Sequence, residues 1–173
     1  MSKPYAPPGF GALARRVCEQ MEWGRINHTY PVKRGEAVWY SCEGHGGFFA
    51  RVPENLTATQ REVLVRADCI QTALSFPIRR TGLGGTYLGC RVRVNVEPQR
   101  LWPSDMPYHR HELLMGEEDV GWAAVVLARP ELAEHLANGG LSISSGEEVL
   151  AFARESVDRW YPDFVDAFEG VAA

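Results

Sequence analysis

His45 is the residue whose neighbours best suit chemistry, because it stands between glycines in a turn that joins two predicted strands. Residues 38–53 read VWYSCEGHGGFFARVP, with residues 38–43 and 48–52 as the strands. Glycine reaches backbone angles that strain other residues, so such a turn can be tight or irregular. An imidazole held there could act as a general base near neutral pH. Alternatively, the glycines serve the turn and His45 has a structural role.

Cys42 lies three residues before His45 and would be a nucleophile if its thiolate met the imidazole. Positions 42 and 45 of a strand face opposite sides, so this pairing would require the glycine turn to redirect the chain. The alternative is a buried, inert thiol. With Cys18, Cys69 and Cys90, it belongs to four scattered cysteines without a C-x-x-C motif, which indicates free thiols in a reducing compartment.

His109, His111 and Glu112 form a second cluster with the spacing of metal ligands, because residues i and i+2 of a strand share a face. Together with Cys42 and His45, the two histidines would complete four zinc ligands. Nothing in the sequence brings the two stretches together. We therefore predict no metal site and no cofactor, and we expect the second cluster to be an exposed polar segment.

The charged residues divide the chain into a basic part and an acidic part. Residues 1–100 contain 14 Lys and Arg against 8 Asp and Glu, whereas residues 101–173 contain 4 against 14. Glu117, Glu118 and Asp119 open a predicted helix, where carboxylates interact favourably with the helix dipole. They could also face a basic protein surface, including one that normally holds nucleic acid.

Two further segments suggest phosphate binding. Arg91 and Arg93 alternate with valines on a predicted strand and could contact phosphate, although no nucleic-acid-binding motif accompanies them. Residues 82–86 read GLGGT, which resembles a phosphate loop but precedes a strand instead of a helix. We therefore expect residues 82–86 to form a hairpin or bulge loop.

The periodicity of apolar residues predicts an α+β fold, with a small antiparallel sheet packed by helices and an α-helical C-terminal third. Predicted helices cover residues 9–22, 57–73, 117–128, 130–137, 145–160 and 162–168, and predicted strands cover 26–32, 38–43, 48–52 and 86–96. Thr57 with Gln60 and Ser145 with Glu148 fit capping boxes. The helix that starts at Ser145 should bury Phe152 and Trp160 with Val149, Ala153 and Ser156 on one face.

The 173 residues suit one domain, residues 9–173, preceded by a flexible Pro-rich arm of residues 1–8. No apolar run approaches the roughly 20 residues that cross a bilayer, and the first residues lack the apolar core of a signal peptide. We therefore predict a cytoplasmic protein that does not interact with membranes.

Several short motifs resemble an uncharacterised domain family of proteobacterial, phage and plasmid proteins with a central His-Gly-Gly signature and a C-terminal Trp-Tyr-Pro turn. The matching residues are Trp23-Gly24, Tyr30, Trp39-Tyr40-Ser41, His45-Gly46-Gly47, Val52-Pro53, Glu117-Glu118-Asp119, Gly121-Trp122-Ala123 and Arg159-Trp160-Tyr161-Pro162. The resemblance spans about residues 20–165. Family members often have a Trp-Tyr pair where this chain has Leu114-Met115-Gly116. The resemblance implies a mobile genetic element as the setting, in which small proteins often disable host defence machinery.

Three functions are compatible with the sequence. The favoured one is a phage- or plasmid-type protein that acts by protein binding, such as an anti-CRISPR inhibitor, on a host or phage complex with a basic surface. The second is an enzyme centred on His45, with Cys42 or the carboxylates of residues 117–119 beside it. The third is a nucleic-acid binder that uses Arg91 and Arg93.

Overall fold

A computed structural model describes residues 7–82, 85–94, 108–139 and 143–169, without the side chains of residues 77–90, 138 and 139. The strands are β1 Ile26–Lys33, β2 Ala37–Cys42, β3 Gly46–Arg51, β4 Ile70–Gly82, β5 Gly85–Val94 and β6 His109–Glu117. The helices are α1 Phe10–Cys18, α2 Ala58–Arg66, α3 Gly121–Ala128, α4 Ala133–Gly139, α5 Gly146–Asp158 and α6 Pro162–Phe168, with a 3-10 turn Pro130–Leu132 before α4. These strands form one antiparallel sheet in the order β1-β2-β3-β6-β4-β5. The predicted α+β fold with a helical C-terminal region is therefore confirmed.

Helices cover both faces of the sheet. Phe48 of β3 belongs to a core that it shares with α2 to α6. Its neighbour Phe49 belongs to a second core, which lies on the other face beneath α1. Both rings are fully buried, as expected where adjacent residues of a strand point to opposite covered faces. The strand that follows the histidine turn is therefore held by packing on both sides.

The predicted hairpin at residues 38–52 is confirmed as β2 and β3, whose register pairs Ser41 with Gly46. The alternation predicted for residues 86–96 is confirmed where β5 is described to side-chain level, because Val92 is buried while Arg91 and Arg93 are exposed. Residues 95 and 96 lie outside the described ranges. β4 and β5 form the hairpin predicted at residues 82–86, with Gly82 paired to Gly85. Residues 82, 85 and 86 belong to the two strands, and residues 83 and 84 lie outside the described ranges.

The predicted helix over residues 57–73 is wrong beyond Arg66. Asp68 adopts a positive φ of 53°, and the main-chain N–H of Cys69 donates to the Leu64 carbonyl at 2.8 Å, which ends the helix. Ile70 then begins β4 and pairs with β6. The apolar residues at helical spacing belong instead to two elements.

The polar segment expected after residue 107 is the first part of β6, a strand that pairs with both β3 and β4. The helix predicted from residue 117 begins only at Gly121, since Glu117 still belongs to β6. Gly116 and Gly121 make this junction possible: a Cβ placed on Gly116 would lie 2.1 Å from the Gly121 carbonyl carbon. The three acidic residues therefore lie before α3 and not in its first turn, where the predicted helix had placed them.

The predicted starts of α2, α5 and α6 are largely confirmed. Thr57 and Gln60 form a capping box, and α6 covers the predicted range. The Ser145 hydroxyl accepts the Glu148 N–H at 3.2 Å, although the Glu148 carboxylate accepts from Ser144 instead of Ser145.

The predicted buried face of α5 is partly wrong. Val149, Ala153 and Val157 are buried, whereas Phe152 is 51% exposed and Trp160, which lies beyond the helix end, is 64% exposed. None of the helices in the described ranges is long and apolar enough to span a membrane. The arm predicted at residues 1–8 falls outside the described ranges except for its last two residues.

Candidate functional site

The turn that carries His45 consists of residues 43–45, between β2 and β3. The main-chain N–H of Cys42 donates to the His45 carbonyl at 2.8 Å and closes the turn. Glu43 and Gly44 donate their N–H groups to the carbonyls of Arg25 and Trp23, at 3.1 and 3.0 Å. Main-chain bonds therefore hold the turn from two directions, while the His45 side chain remains exposed.

The sheet register brings the acidic segment to this turn. Gly47 of β3 pairs with Glu117 of β6, and the N–H of Glu118 donates to the Gly46 carbonyl at 3.0 Å. Because Gly46 directly follows His45, the exposed imidazole and the exposed carboxylates of residues 117–119 lie at the same end of the sheet. We call the surface formed by Glu43, His45, Glu117, Glu118 and Asp119 the acidic end.

The two glycines after the histidine are required by close packing. A Cβ on Gly46 would lie 2.6 Å from a Glu118 carboxylate oxygen and 2.9 Å from the Tyr40 carbonyl oxygen. A Cβ on Gly47 would lie 2.5 Å from the Trp23 ring. Neither glycine has a positive φ. Their role is therefore to let Trp23 and Glu118 approach the hairpin, a role that the prediction of a tight or irregular turn did not include.

Trp23 is the supporting residue that the sequence analysis overlooked, beyond its place in a short motif. Its buried indole lies 6.0 Å from the Phe49 ring, centroid to centroid, and its Nε1–H donates to Glu117 at 3.3 Å. Its carbonyl also accepts from Gly44. Trp23 therefore connects the turn, β3 and the acidic segment into one rigid unit.

Cys42 does not pair with His45. Cys42 ends β2 with its side chain in the core beneath α1, where its Sγ lies 3.6 Å from the Sγ of Cys18. The His45 imidazole is instead exposed to solvent, because β2 ends at Cys42 and His45 lies in the turn that follows. The nucleophile–base pair is therefore not formed, and the prediction of a buried thiol is confirmed.

His109 and His111 lie at the other end of β6, eight and six residues before Glu117, which corresponds to roughly 26 and 20 Å along a strand. The structure therefore does not bring Cys42, His45, His109 and His111 together as zinc ligands. The His111 Nε2 instead lies 2.7 Å from the Oγ of the fully buried Ser75. Burial, with a smaller contribution from His109, lowers the pKa of His111. Sequence reasoning gave no signal for Ser75.

Arg91 and Arg93 lie on β5, the outer strand of the sheet, and are separated from β6 by β4. Both side chains are exposed on the face of β5 opposite to the one that carries the buried Val92. The structure thus presents them as predicted, on a surface distinct from the acidic end.

A cleft of about 280 Å³ lies between α2 and the start of α6, where Trp160 and Tyr161 are exposed. Its lining includes neither His45 nor residues 117–119. Within the described ranges, the His45 imidazole makes no hydrogen bond or ion pair. His45 therefore occupies an open surface with carboxylates beside it, a geometry suited to contact with another macromolecule.

Comparison with known proteins adds no family to this geometry. No protein-family model matches the chain, and no curated protein or solved structure matches it either. The resemblance to the family with the His-Gly-Gly signature therefore stays a prediction that rests on the short motifs.

Proposed function

We propose that this chain is a protein-binding module that docks on a basic protein surface through its acidic end. The single observation that carries the proposal is the register of β3 and β6, which brings exposed carboxylates and an exposed imidazole together at the acidic end. The motif resemblance supports a phage or plasmid setting and a defence complex, such as a CRISPR effector, as the target.

Rigid mounting favours binding because little conformational freedom is lost when the partner docks. The main chain around Gly44 and Glu118 is already hydrogen-bonded, and Trp23 packs beneath it. Only the exposed side chains would have to be ordered on docking. The acidic end thus combines charge with a preformed backbone.

The negative charge of the acidic end indicates a partner with a positively charged surface. In the described ranges no cation pairs with Glu117, Glu118 or Asp119, so a partner's lysines and arginines would gain interactions without first displacing others. Such contacts accelerate encounter and confer specificity, and salt weakens them. A CRISPR effector fits because it holds its nucleic acid in a positively charged channel.

The experiment is direct binding to purified, guide-loaded CRISPR effector complexes of several types, immobilised for interferometry. We expect binding to at least one complex at low salt, with an affinity that falls about tenfold between 50 and 300 mM NaCl. Failure to bind any complex at low salt would overturn the proposed target. An unchanged affinity across that salt range would overturn the role of charge.

The nucleic-acid alternative keeps one specific observation in its favour, the exposure of Arg91 and Arg93 on an outer strand. Retention on immobilised DNA or RNA at low salt, lost in an Arg91→Ala and Arg93→Ala double variant, would favour it. The two functions are distinguishable because Arg91 and Arg93 lie on β5, two strands away from β6.

A further inference from the structure

Cys18 and Cys42 are in contact inside the core beneath α1. Cys18 is the last residue of α1 and Cys42 the last residue of β2, and their Sγ atoms are 3.6 Å apart. Cys18 is fully buried, and Cys42 is 9% exposed. Two thiols from elements 24 residues apart in sequence thus meet at one point.

We propose that Cys18 and Cys42 form a disulfide under oxidation, a modification site that joins α1 to β2. The bond length of about 2.05 Å requires the two sulfur atoms to approach by about 1.5 Å. Small adjustments of two side chains can supply this displacement. The inference concerns the chain's own redox chemistry and does not depend on what the acidic end binds.

The packing of α1 keeps the two sulfurs close. The Tyr40 hydroxyl donates to the Gly11 carbonyl at 3.2 Å near the start of α1, so the helix is tied to β2 there as well as packed at its end. The side chains of Phe10, Leu13 and Val17 are buried, like that of Cys18, on one face of α1. The helix is therefore positioned over β2 along its length, and Cys18 is presented to Cys42.

The partner that first meets an oxidant is Cys42, because it is the one at the edge of the core. With hydrogen peroxide, the Cys42 thiolate attacks one oxygen, the O–O bond breaks, and the leaving hydroxide takes up a proton to become water. Cys42 is then a sulfenic acid.

Cys18 completes the reaction. As its thiol loses its proton, its sulfur attacks the Cys42 sulfur, the S–S bond forms, and the S–O bond breaks with release of water. In total, one peroxide is reduced to two waters while two thiols are oxidised. Burial, and then the neighbouring Cys42, raise the pKa of the Cys18 thiol, so we expect the closure to be slow.

Cys69 provides the matched control. It is also buried, at 1% exposure, but its thiol donates to the Ala67 carbonyl at 3.4 Å, and no other thiol contacts it in the described ranges. If burial alone governed oxidation, Cys18 and Cys69 would behave alike, since both are almost completely buried. If the contact governs it, only Cys18 and Cys42 become linked.

The test treats the full chain with hydrogen peroxide at pH 8, blocks remaining thiols, and maps peptides by mass spectrometry before and after reduction. We expect a peptide linked between Cys18 and Cys42, and a rise in Tm of roughly 5–10 °C that dithiothreitol reverses. Cys69→Ser should give the same link and the same rise. Cys42→Ser and Cys42→Ala should give neither.

Three results would overturn the inference. One is oxidation of Cys42 to sulfinic acid without a link to Cys18. Another is a link that uses Cys69 or Cys90 in place of either residue. The third is the absence of any modification after prolonged treatment. Because the link is read by mass in the unmutated chain, the test does not depend on whether a variant folds.

Discussion

β6 connects two clusters of similar residues that differ in how their charges are met. Near its start it carries His111 and Glu112, whereas its last residue is Glu117, which leads into Glu118 beside His45. Both ends combine an imidazole with carboxylates, and the same central strand supports both. Their side-chain types alone therefore do not distinguish them.

At the first end, each group has a partner within the protein. The Glu112 carboxylate pairs with Arg61 and, at 3.7 Å, with Arg110. The His111 ring is hydrogen-bonded to Ser75. These interactions attach α2 and β4 to β6, so this end is explained by the fold.

At the second end, the carboxylates remain unneutralised in the described ranges. Glu117 accepts a hydrogen bond from the neutral indole of Trp23, and Glu118 takes part through its main chain. A folded protein has no structural need for unpaired like charges, which repel one another. Internal neutralisation of charge, more than residue type, therefore separates a structural cluster from a candidate binding surface.

The largest effect is expected at Gly116, where the backbone at the end of β6 is in close contact with the backbone at the start of α3. Gly116→Ala would place a Cβ 2.1 Å from the Gly121 backbone, at the junction of β6 and α3. We expect a loss of about 3 kcal/mol or more in the free energy of unfolding, because neither backbone can move without breaking a core element. Chemical denaturation measures it.

The control is Gly11→Ala on α1, where an added Cβ meets nothing within 4 Å. This substitution should stabilise the protein by up to about 1 kcal/mol through helix propensity. A Gly116→Ala protein as stable as the parent would show that the junction is looser than the contact distances require.

The next effect concerns binding. Replacing Glu118 and Asp119 by arginine should weaken the complex with a CRISPR effector about tenfold or more, mainly through slower association. The control replaces Glu155 and Asp158 on α5, both exposed and without an ion pair in the described ranges, by arginine. It changes the net charge equally, so an equal loss in both variants would mean that overall charge, and not the acidic end, governs binding.

The same elements differ in how well the sequence predicts them. Glycines and alternation predicted the β2–β3 hairpin and β5, because those signals are local. β6 escaped prediction because Leu113, Leu114 and Met115 are all buried, and a strand covered on both faces shows no alternation. The position of His45 beside Glu118 follows from pairing between residues about 70 positions apart, which no local pattern specifies.

A smaller effect should appear at the first end of β6 as a dependence of stability on pH. Burial lowers the pKa of His111 in the folded state below its value of about 6.5 in an unfolded chain. The contribution of neutral His111 to the free energy of unfolding is therefore complete above pH 6.5. It is lost as the pH falls through the pKa of the folded state, since protonation favours the unfolded state.

Denaturation at pH 7.5, 6.5, 5.5 and 4.5 measures this loss. His111→Gln should reduce the decline in stability on acidification. The nearby groups that face His111 are His109, whose charge adds to the lowering of its pKa, and the Ser75 hydroxyl. Identical pH profiles for the His111 variant and the parent would show that the burial of His111 does not cause the decline.

The smallest effect is expected for His45→Ala. The side chain is exposed and makes no hydrogen bond or ion pair within the described ranges, so the free energy of unfolding should change by less than about 0.5 kcal/mol. Binding to a basic partner should weaken only slightly, because the carboxylates beside it remain. Loss of a measured turnover in this variant, with an unchanged Tm, would instead favour an enzyme centred on His45. The same substitution therefore separates a surface that binds from a site that catalyses.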